Sequence, residues 1–171
     1  MKIILFLLCS FPVLVMAQEC KVKKEVDPYS KEVKLTTGFK AFGGGANRTS
    51  VSADASKTDV EFILSVNNGA EGKCFDNTSA AIFVYEGGRQ KGNFKNNSSM
   101  NCEGLFSISF RNVATTPTTL KNLATKKVIS IKLTGNAKQV TEITLTEAEQ
   151  QTLLKMAACI IEESKTLLVK V

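Results

Sequence analysis

Several segments of the chain alternate apolar and polar residues with a period of two, and this pattern constrains the fold most. Apolar residues occupy every second position of VEFILSV (60–66), and the alternation recurs in LFSISFRN (105–112) and KVISIKL (127–133). Successive side chains of a strand point to opposite faces, so each segment has one face for a core and one for water. Clusters of Gly, Asn and Ser separate the segments. The sequence therefore predicts an antiparallel sheet or sandwich.

Further segments extend this prediction. VKLTTGFKAF (33–42) and VTEITL (140–145) show the same alternation, whereas AAIFVYE (80–86) is apolar on both faces and is predicted to be a central strand. EVDPYSKEVK (25–34) contains an Asp-Pro turn between two strands, with Asp27 accepting local backbone hydrogen bonds.

One long segment breaks the period of two and indicates a C-terminal amphipathic helix over 146–164. Thr146 followed by Glu149 fits a capping box, and Thr144 with Glu147 offers a second start. The residues at helical spacing form one broad apolar face, which should pack on the sheet as core. These residues are Leu153, Met156, Ala157, Ile160, Ile161 and Ser164.

Together these patterns predict an α+β fold with an antiparallel sheet or sandwich and a C-terminal helix packed on it. A second, short helical turn is expected over 118–124, after Pro117. No repeat or linker interrupts residues 18–171, whose length suits a single domain.

The N-terminus reads as an export signal. Lys2 precedes an apolar run over 3–16 that is too short to cross a bilayer comfortably and ends in Val-Met-Ala. We expect a signal peptide over 1–17 and a mature chain that begins at Gln18 without a transmembrane span. An uncleaved anchor and a lipoprotein attached through Cys9 are the alternatives.

Export favours disulfides. Of five cysteines, Cys9 leaves with the signal peptide, and Cys20, Cys74, Cys102 and Cys159 remain. Four cysteines allow three pairings, of which we favour Cys74–Cys102, bracketing one hairpin, with Cys20–Cys159. Metal ligation is the competing interpretation, but the chain has no Cys-x-x-Cys pair and no histidine. We therefore expect no metal and no cofactor.

The absence of histidine removes most familiar catalytic arrangements. No Ser-His-Asp triad, Cys-His dyad or His-Glu-x-x-His helix can form. No catalytic residues are predicted, although a pair of carboxylates brought together from distant strands stays open.

The charge of the chain is mildly basic, with 22 Lys and Arg against 16 Asp and Glu. Loss of Lys2 with the signal peptide lowers the net charge from +6 to +5. The cations are spread along the chain without a basic cluster or interleaved aromatics, so nucleic-acid binding is not expected. Solubility accounts for this charge, and weak attraction to anionic envelope surfaces or glycans is the alternative.

The Gly-rich segment GGRQKG (87–92) resembles a phosphate loop only superficially. A phosphate loop precedes a helix, whereas this segment follows a strand and leads into Asn and Ser. It predicts a hairpin turn with positive φ at Gly87 and Gly88. A solvated tip explains Arg89 and Lys91 without a partner, and the two residues stay candidate anion contacts.

The order of these features resembles small exported envelope proteins of Gram-negative bacteria for which no activity is known. The resemblance comprises the export signal, Asp27-Pro28-Tyr29-Ser30 with Glu32, several strands, VISIKLTG and a closing helix with Cys159. It implies a periplasmic or secreted β-rich domain and transfers no catalytic residue.

We therefore expect an exported, non-enzymatic binding or structural module whose partner is an envelope protein, a glycan or a small ligand. A carboxylate-dependent hydrolase of envelope polymers or glycans is the alternative function. Two carboxylates converging in a deep cleft, about 5 to 9 Å apart, would favour hydrolysis, and a shallow apolar patch on a sheet edge or face would favour binding.

Overall fold

The computed structural model of the protein describes residues 21–66 and 74–168. Within these residues the chain forms two antiparallel sheets and two α-helices, and the C-terminal helix packs on the sheets. The predicted α+β class is confirmed. The predicted signal peptide lies outside the described residues.

Six strands form the first sheet: β1 (Lys23–Val26), β2 (Val33–Thr36), β3 (Lys40–Phe42), β4 (Thr49–Ala55), β5 (Asp59–Val66) and β8 (Leu105–Arg111). Their spatial order is β1–β2–β4–β5–β8, and β3 pairs with β4 beyond the end of β2. The predicted turn between β1 and β2 is present, because Asp27 Oδ1 accepts from the backbone N–H groups of Tyr29 and Ser30 at 2.9 and 2.7 Å. These bonds lower the pKa of Asp27.

Four strands form the second sheet: β6 (Ala80–Tyr85), β7 (Lys91–Lys95), β9 (Val128–Thr134) and β10 (Val140–Thr144). Their order is β10–β9–β6–β7, which places β6 in the interior as its apolar sequence predicts. Both sheets turn one face to a shared core and one outward.

Helix α1 (Thr118–Thr125) and helix α2 (Glu147–Ser164) confirm the two predicted helical segments. The first predicted start of α2 is used, since Thr146 and Glu149 form the reciprocal capping box. Five of the six residues of the predicted apolar face are buried, namely Leu153, Met156, Ala157, Ile160 and Ser164, and the sixth, Ile161, is half-buried. This face packs against β2, β4, β5 and β9.

Aromatic side chains join the two sheets in the core. Phe94 of β7 and Phe110 of β8 meet edge to face with ring centroids 5.9 Å apart, and Phe110 also meets Phe62 at 6.2 Å. Burying a large apolar side chain contributes about 1.5 to 3 kcal/mol, so this cluster holds the sheets together.

Strand β4 was not among the predicted strands, although Val51, Ala53 and Ala55 alternate with Ser52 and Asp54 in its sequence. Its sequence, TSVSADA, is rich in Ser, Ala and Asp, which have low strand propensity. The strand forms because β2 and β3 pair with one of its edges and β5 pairs with the other. Tertiary pairing therefore overrides local preference at this strand.

A disulfide links Cys74 to Cys102 at the open end of the β6–β7 hairpin, as predicted. Next to it, Phe75 and Asn101 exchange two backbone hydrogen bonds of 2.8 and 2.9 Å. Bonding of this pair is compatible with the predicted export. The second predicted pair, Cys20–Cys159, is not tested because Cys20 lies outside the described residues.

Candidate functional site

The segment GGRQKG forms the tip of the β6–β7 hairpin. Gly87 and Gly88 have φ values of +82° and +70°, as predicted for a tight turn. The N–H of Tyr85 donates to the carbonyl of Gln90 at 3.0 Å, and the N–H of Gly88 donates to that of Tyr85 at 2.9 Å. The segment continues into a strand rather than a helix, so it is not a phosphate loop.

The two candidate anion contacts, Arg89 and Lys91, are both exposed at this tip. The end of α1 lies beside the tip, because the Lys126 ammonium donates to the Gln90 side-chain oxygen at 2.6 Å. The structure thus brings a third cation, Lys126, to the same end of the second sheet. Lys126 was not predicted to lie there, since it is 35 or more positions after Arg89 and Lys91 in the sequence.

The outer face of the second sheet continues this positive charge. Lys91 and Lys95 of β7 are exposed on both sides of the buried Phe94, and Lys132 of β9 is exposed between two buried neighbours. We name the set Arg89, Lys91, Lys95, Lys126 and Lys132 the cationic face. Alternation along β7 is a sequence signal for its two lysines, whereas placing Lys132 beside them requires the strand order.

The strand register fixes the layout of the cationic face. Ile82 of β6 pairs with Asn93 on one side and with Lys132 on the other, and Val84 pairs with Lys91. Lys91 and Lys95 are therefore about 13 Å apart along β7, and Lys132 lies about 10 Å across the sheet from the β7 backbone. Half-buried Ile82 and Val84 form an aliphatic strip between the lysines.

The cations of this face form no salt bridge among the described residues. Within residues 21–66 and 74–168 the salt bridges are Lys127–Glu147 and Lys165–Glu162, neither of which involves the cationic face. The nearest acids by position are Glu86 at the tip and Glu142, which pairs with Lys132 across β9 and β10. The face therefore keeps an excess of positive charge.

Lys127, next to the cationic face, behaves differently. Its ammonium lies 2.5 Å from the Glu147 carboxylate. The hydrogen bond between them raises the pKa of Lys127 and lowers that of Glu147. The Lys127 side chain therefore joins the start of β9 to the start of α2.

The outer face of the first sheet carries two opposed carboxylates. Asp54 of β4 and Glu61 of β5 are directly opposed in the antiparallel register, which places their Cβ atoms roughly 5 Å apart. This pair was not predicted from the sequence, because β4 was not among the predicted strands. The short turn between β4 and β5 sets their register and is the signal that would have found them.

Hydroxyl groups hold both of these carboxylates. Asp54 Oδ1 accepts from Thr36 Oγ1 and from Ser52 Oγ, each at 2.6 Å, and Glu61 Oε1 accepts from Ser107 Oγ. Ser52 and Ser107 are buried. The carboxylates thus compensate buried hydroxyls, and in exchange the hydroxyls stabilise two like charges on neighbouring strands.

No protein-family model, no curated protein and no solved structure matches this chain. The resemblance to small exported envelope proteins therefore stays a prediction. Within the described ranges no helix is long and apolar enough to span a bilayer. In the same part of the chain, no three His, Cys, Asp or Glu side chains are grouped to hold a metal ion.

Proposed function

We propose that the protein is an exported, non-enzymatic binding module of the cell envelope or extracellular space, and that its cationic face binds an anionic polysaccharide. The observation that carries the proposal is the group of five cations on the outer face and the adjoining hairpin tip of the second sheet, without salt-bridge partners among the described residues. Like charges gathered on one surface repel one another, and an anionic ligand relieves that repulsion.

The shape of the cationic face supports a linear polymer. Its lysines are spread over roughly 10 to 13 Å of an extended sheet instead of converging on one point. Thr134, Ser130, Asn93 and Thr144 lie on the same side and supply hydroxyl and amide groups between the charges. A chain of charged sugars presents anionic groups for the lysines and hydroxyl groups for these polar side chains, and it repeats both along its length.

Two variants with equal loss of charge test this function. Lys91, Lys95 and Lys132 are replaced by Ser in one, and Lys23, Lys34 and Lys40, which are exposed on the first sheet, are replaced by Ser in the other. Retention on immobilised dextran sulfate is measured as the salt concentration for elution. We expect the first variant to elute well before the wild type and the second to elute close to it. Equal shifts in the salt concentration for elution would show that net charge alone explains retention, and this would contradict the proposal.

Export is part of the proposal and has a separate test. Intact-mass analysis of the protein secreted by its host should give a chain that begins at Gln18, with or without cyclisation of that glutamine. A retained Met1 or a lipid on Cys9 would contradict the proposed maturation.

The opposed pair Asp54 and Glu61 supports a second candidate function, a carboxylate-dependent hydrolase of glycans. Retaining glycosidases use two carboxyl groups about 5 to 5.5 Å apart, so this function requires the carboxyl groups themselves, and not only their Cβ atoms, to come this close. A panel of anionic and neutral polysaccharides is incubated with the protein, and new reducing ends are measured. Hydrolysis that disappears in Asp54→Asn and in Glu61→Gln would establish this function, and its absence across the panel would leave binding.

A further inference from the structure

A groove separate from both outer faces lies at the edge of the first sheet. It has a volume of about 870 Å³ and lies between the β1–β2 hairpin, the turn at 56–58 and the C-terminal end of α2. Cavities of roughly 300 to 1,000 Å³ are typical for small ligands.

The floor of this groove is an apolar track that leads out of the core. Leu35 is 4 % exposed, Val33 is half-buried, and Val22, just before β1, is half-buried against the core. Leu167, after the end of α2, closes the opposite wall. Helix α2 packs on β2, β4 and β5, and β1 lies one strand further out, so the track extends past the cover that the helix gives.

Two lysines flank this track. Lys24 pairs with Leu35, and Leu35 pairs with Ala55, which directly precedes the turn that carries Lys57. Lys24 and Lys57 thus line the groove from the two sides of Leu35. Within the described residues neither ammonium forms a salt bridge or a side-chain hydrogen bond.

The remaining charged residues of the groove are placed differently. Lys31 donates to the carbonyl of Pro28 at 2.7 Å, so its ammonium is already engaged at the hairpin turn. Glu32 lies at that turn, and Glu163 lies in the last turn of α2, where the negative end of the helix dipole adds to its charge. An anionic group is therefore repelled from both ends and attracted to the position between Lys24 and Lys57.

We propose that the groove binds an amphiphile with one acyl chain and an anionic head group. The acyl chain lies on the track formed by Leu35, Val33 and Val22, and the head group lies between Lys24 and Lys57. Burial of the chain supplies affinity in proportion to its apolar area, and the lysines select an anionic head group over a neutral one. This site shares no residue with the cationic face, so the two proposals stand or fall separately.

The experiment uses the mature, disulfide-bonded chain and 11-(dansylamino)undecanoic acid as a fluorescent probe. We expect saturable binding with a blue shift of the dansyl emission. Dodecanoate should displace the probe at a concentration at least tenfold lower than dodecanol. Equal displacement by the two compounds would contradict the assigned head-group position.

Three variants locate the site. Lys24→Ser with Lys57→Ser changes exposed side chains only and should weaken dodecanoate at least tenfold while leaving dodecanol unchanged. Val33→Asp should abolish probe binding, whereas Val140→Asp, at a valine that is 54 % exposed on the second sheet, should leave it unchanged. Absence of probe binding to the wild type, or binding that survives both groove variants, would overturn the inference.

Discussion

The acidic pair on the outer face of the first sheet and the lysines on the outer face of the second sheet differ in how their charges are held. On the first sheet, Asp54 and Glu61 accept hydrogen bonds from Thr36, Ser52 and Ser107. On the second sheet, the lysines of β7 and β9 are exposed and have no salt-bridge partner in the described part of the chain.

This difference separates charges that stabilise the fold from charges that are available to a partner. A carboxylate that satisfies buried hydroxyls cannot be removed without leaving those hydroxyls unpaired. An exposed lysine contributes little to stability, and its removal changes mainly the field outside the protein. The comparison therefore predicts which substitutions change stability and which change binding.

The largest effect on stability is expected from the disulfide that closes the hairpin of the cationic face. Replacing Cys74 and Cys102 by Ser frees a loop with a sequence separation of 28. In the chain-entropy model this lowers the free energy of unfolding by about 3 to 4 kcal/mol. Urea unfolding of the variant, compared with the reduced and the oxidised wild type, measures the change. A variant as stable as the oxidised wild type would show that the second sheet does not depend on this bond.

Asp54→Ala tests whether the acidic pair stabilises the first sheet. The substitution removes the acceptor of Thr36 and buried Ser52 and leaves only the 3.3 Å contact between their own hydroxyls, which costs about 1 to 3 kcal/mol. Glu142→Ala removes an exposed carboxylate of the second sheet and is the matched control, with an expected change within about 0.5 kcal/mol. Similar denaturation midpoints for the two variants would remove the distinction between the sheets.

Gly88→Val tests the backbone of the hairpin tip. Gly88 has a φ of +70° and open space around its Cα, so the penalty is conformational and amounts to about 1 to 2 kcal/mol. Gly44 also has open space but an extended φ of −143°, so Gly44→Val should change stability much less. Thermal unfolding followed by circular dichroism compares the two. A larger loss of stability in Gly44→Val would show that the positive φ of Gly88 does not determine the effect of a valine at the tip.

The smallest effect on stability is expected at the two cations of the same tip. Replacing Arg89 and Lys91 by Ser should change the free energy of unfolding by no more than about 0.5 kcal/mol, because both side chains are exposed. The same variant should bind dextran sulfate more weakly, and the difference from the wild type should shrink as salt is added. A stability loss comparable to that of Gly88→Val would place these cations among the structural charges.

Much of the fold follows from the sequence because its signals are local. Period-two alternation indicates β5, β8 and β9, and α2 begins at one of the two predicted starts, the capping box at Thr146. The hairpin tip follows from two consecutive glycines. Each of these signals lies within a few residues of the structure that it predicts.

The candidate sites depend on pairing between distant segments and were harder to predict. Lys132 joins Lys91 and Lys95 only because β6 lies between β7 and β9. Asp54 faces Glu61 because TSVSADA, whose small residues favour a strand only weakly, pairs with β5 through a short turn. No local pattern contains the lysine juxtaposition, whereas the acidic pair follows once β4 and that turn are recognised.

Lysine footprinting of the complex tests most directly whether the charges of the second sheet are the binding charges. The mature protein is acetylated with sulfo-NHS-acetate in the presence and absence of dextran sulfate, and modification of each lysine is measured by peptide mass spectrometry. We expect the polymer to protect Lys91, Lys95 and Lys132 from acetylation. Lys23, Lys34 and Lys40 should stay as reactive as before. Even protection of all six, or protection of the first-sheet lysines alone, would contradict this expectation.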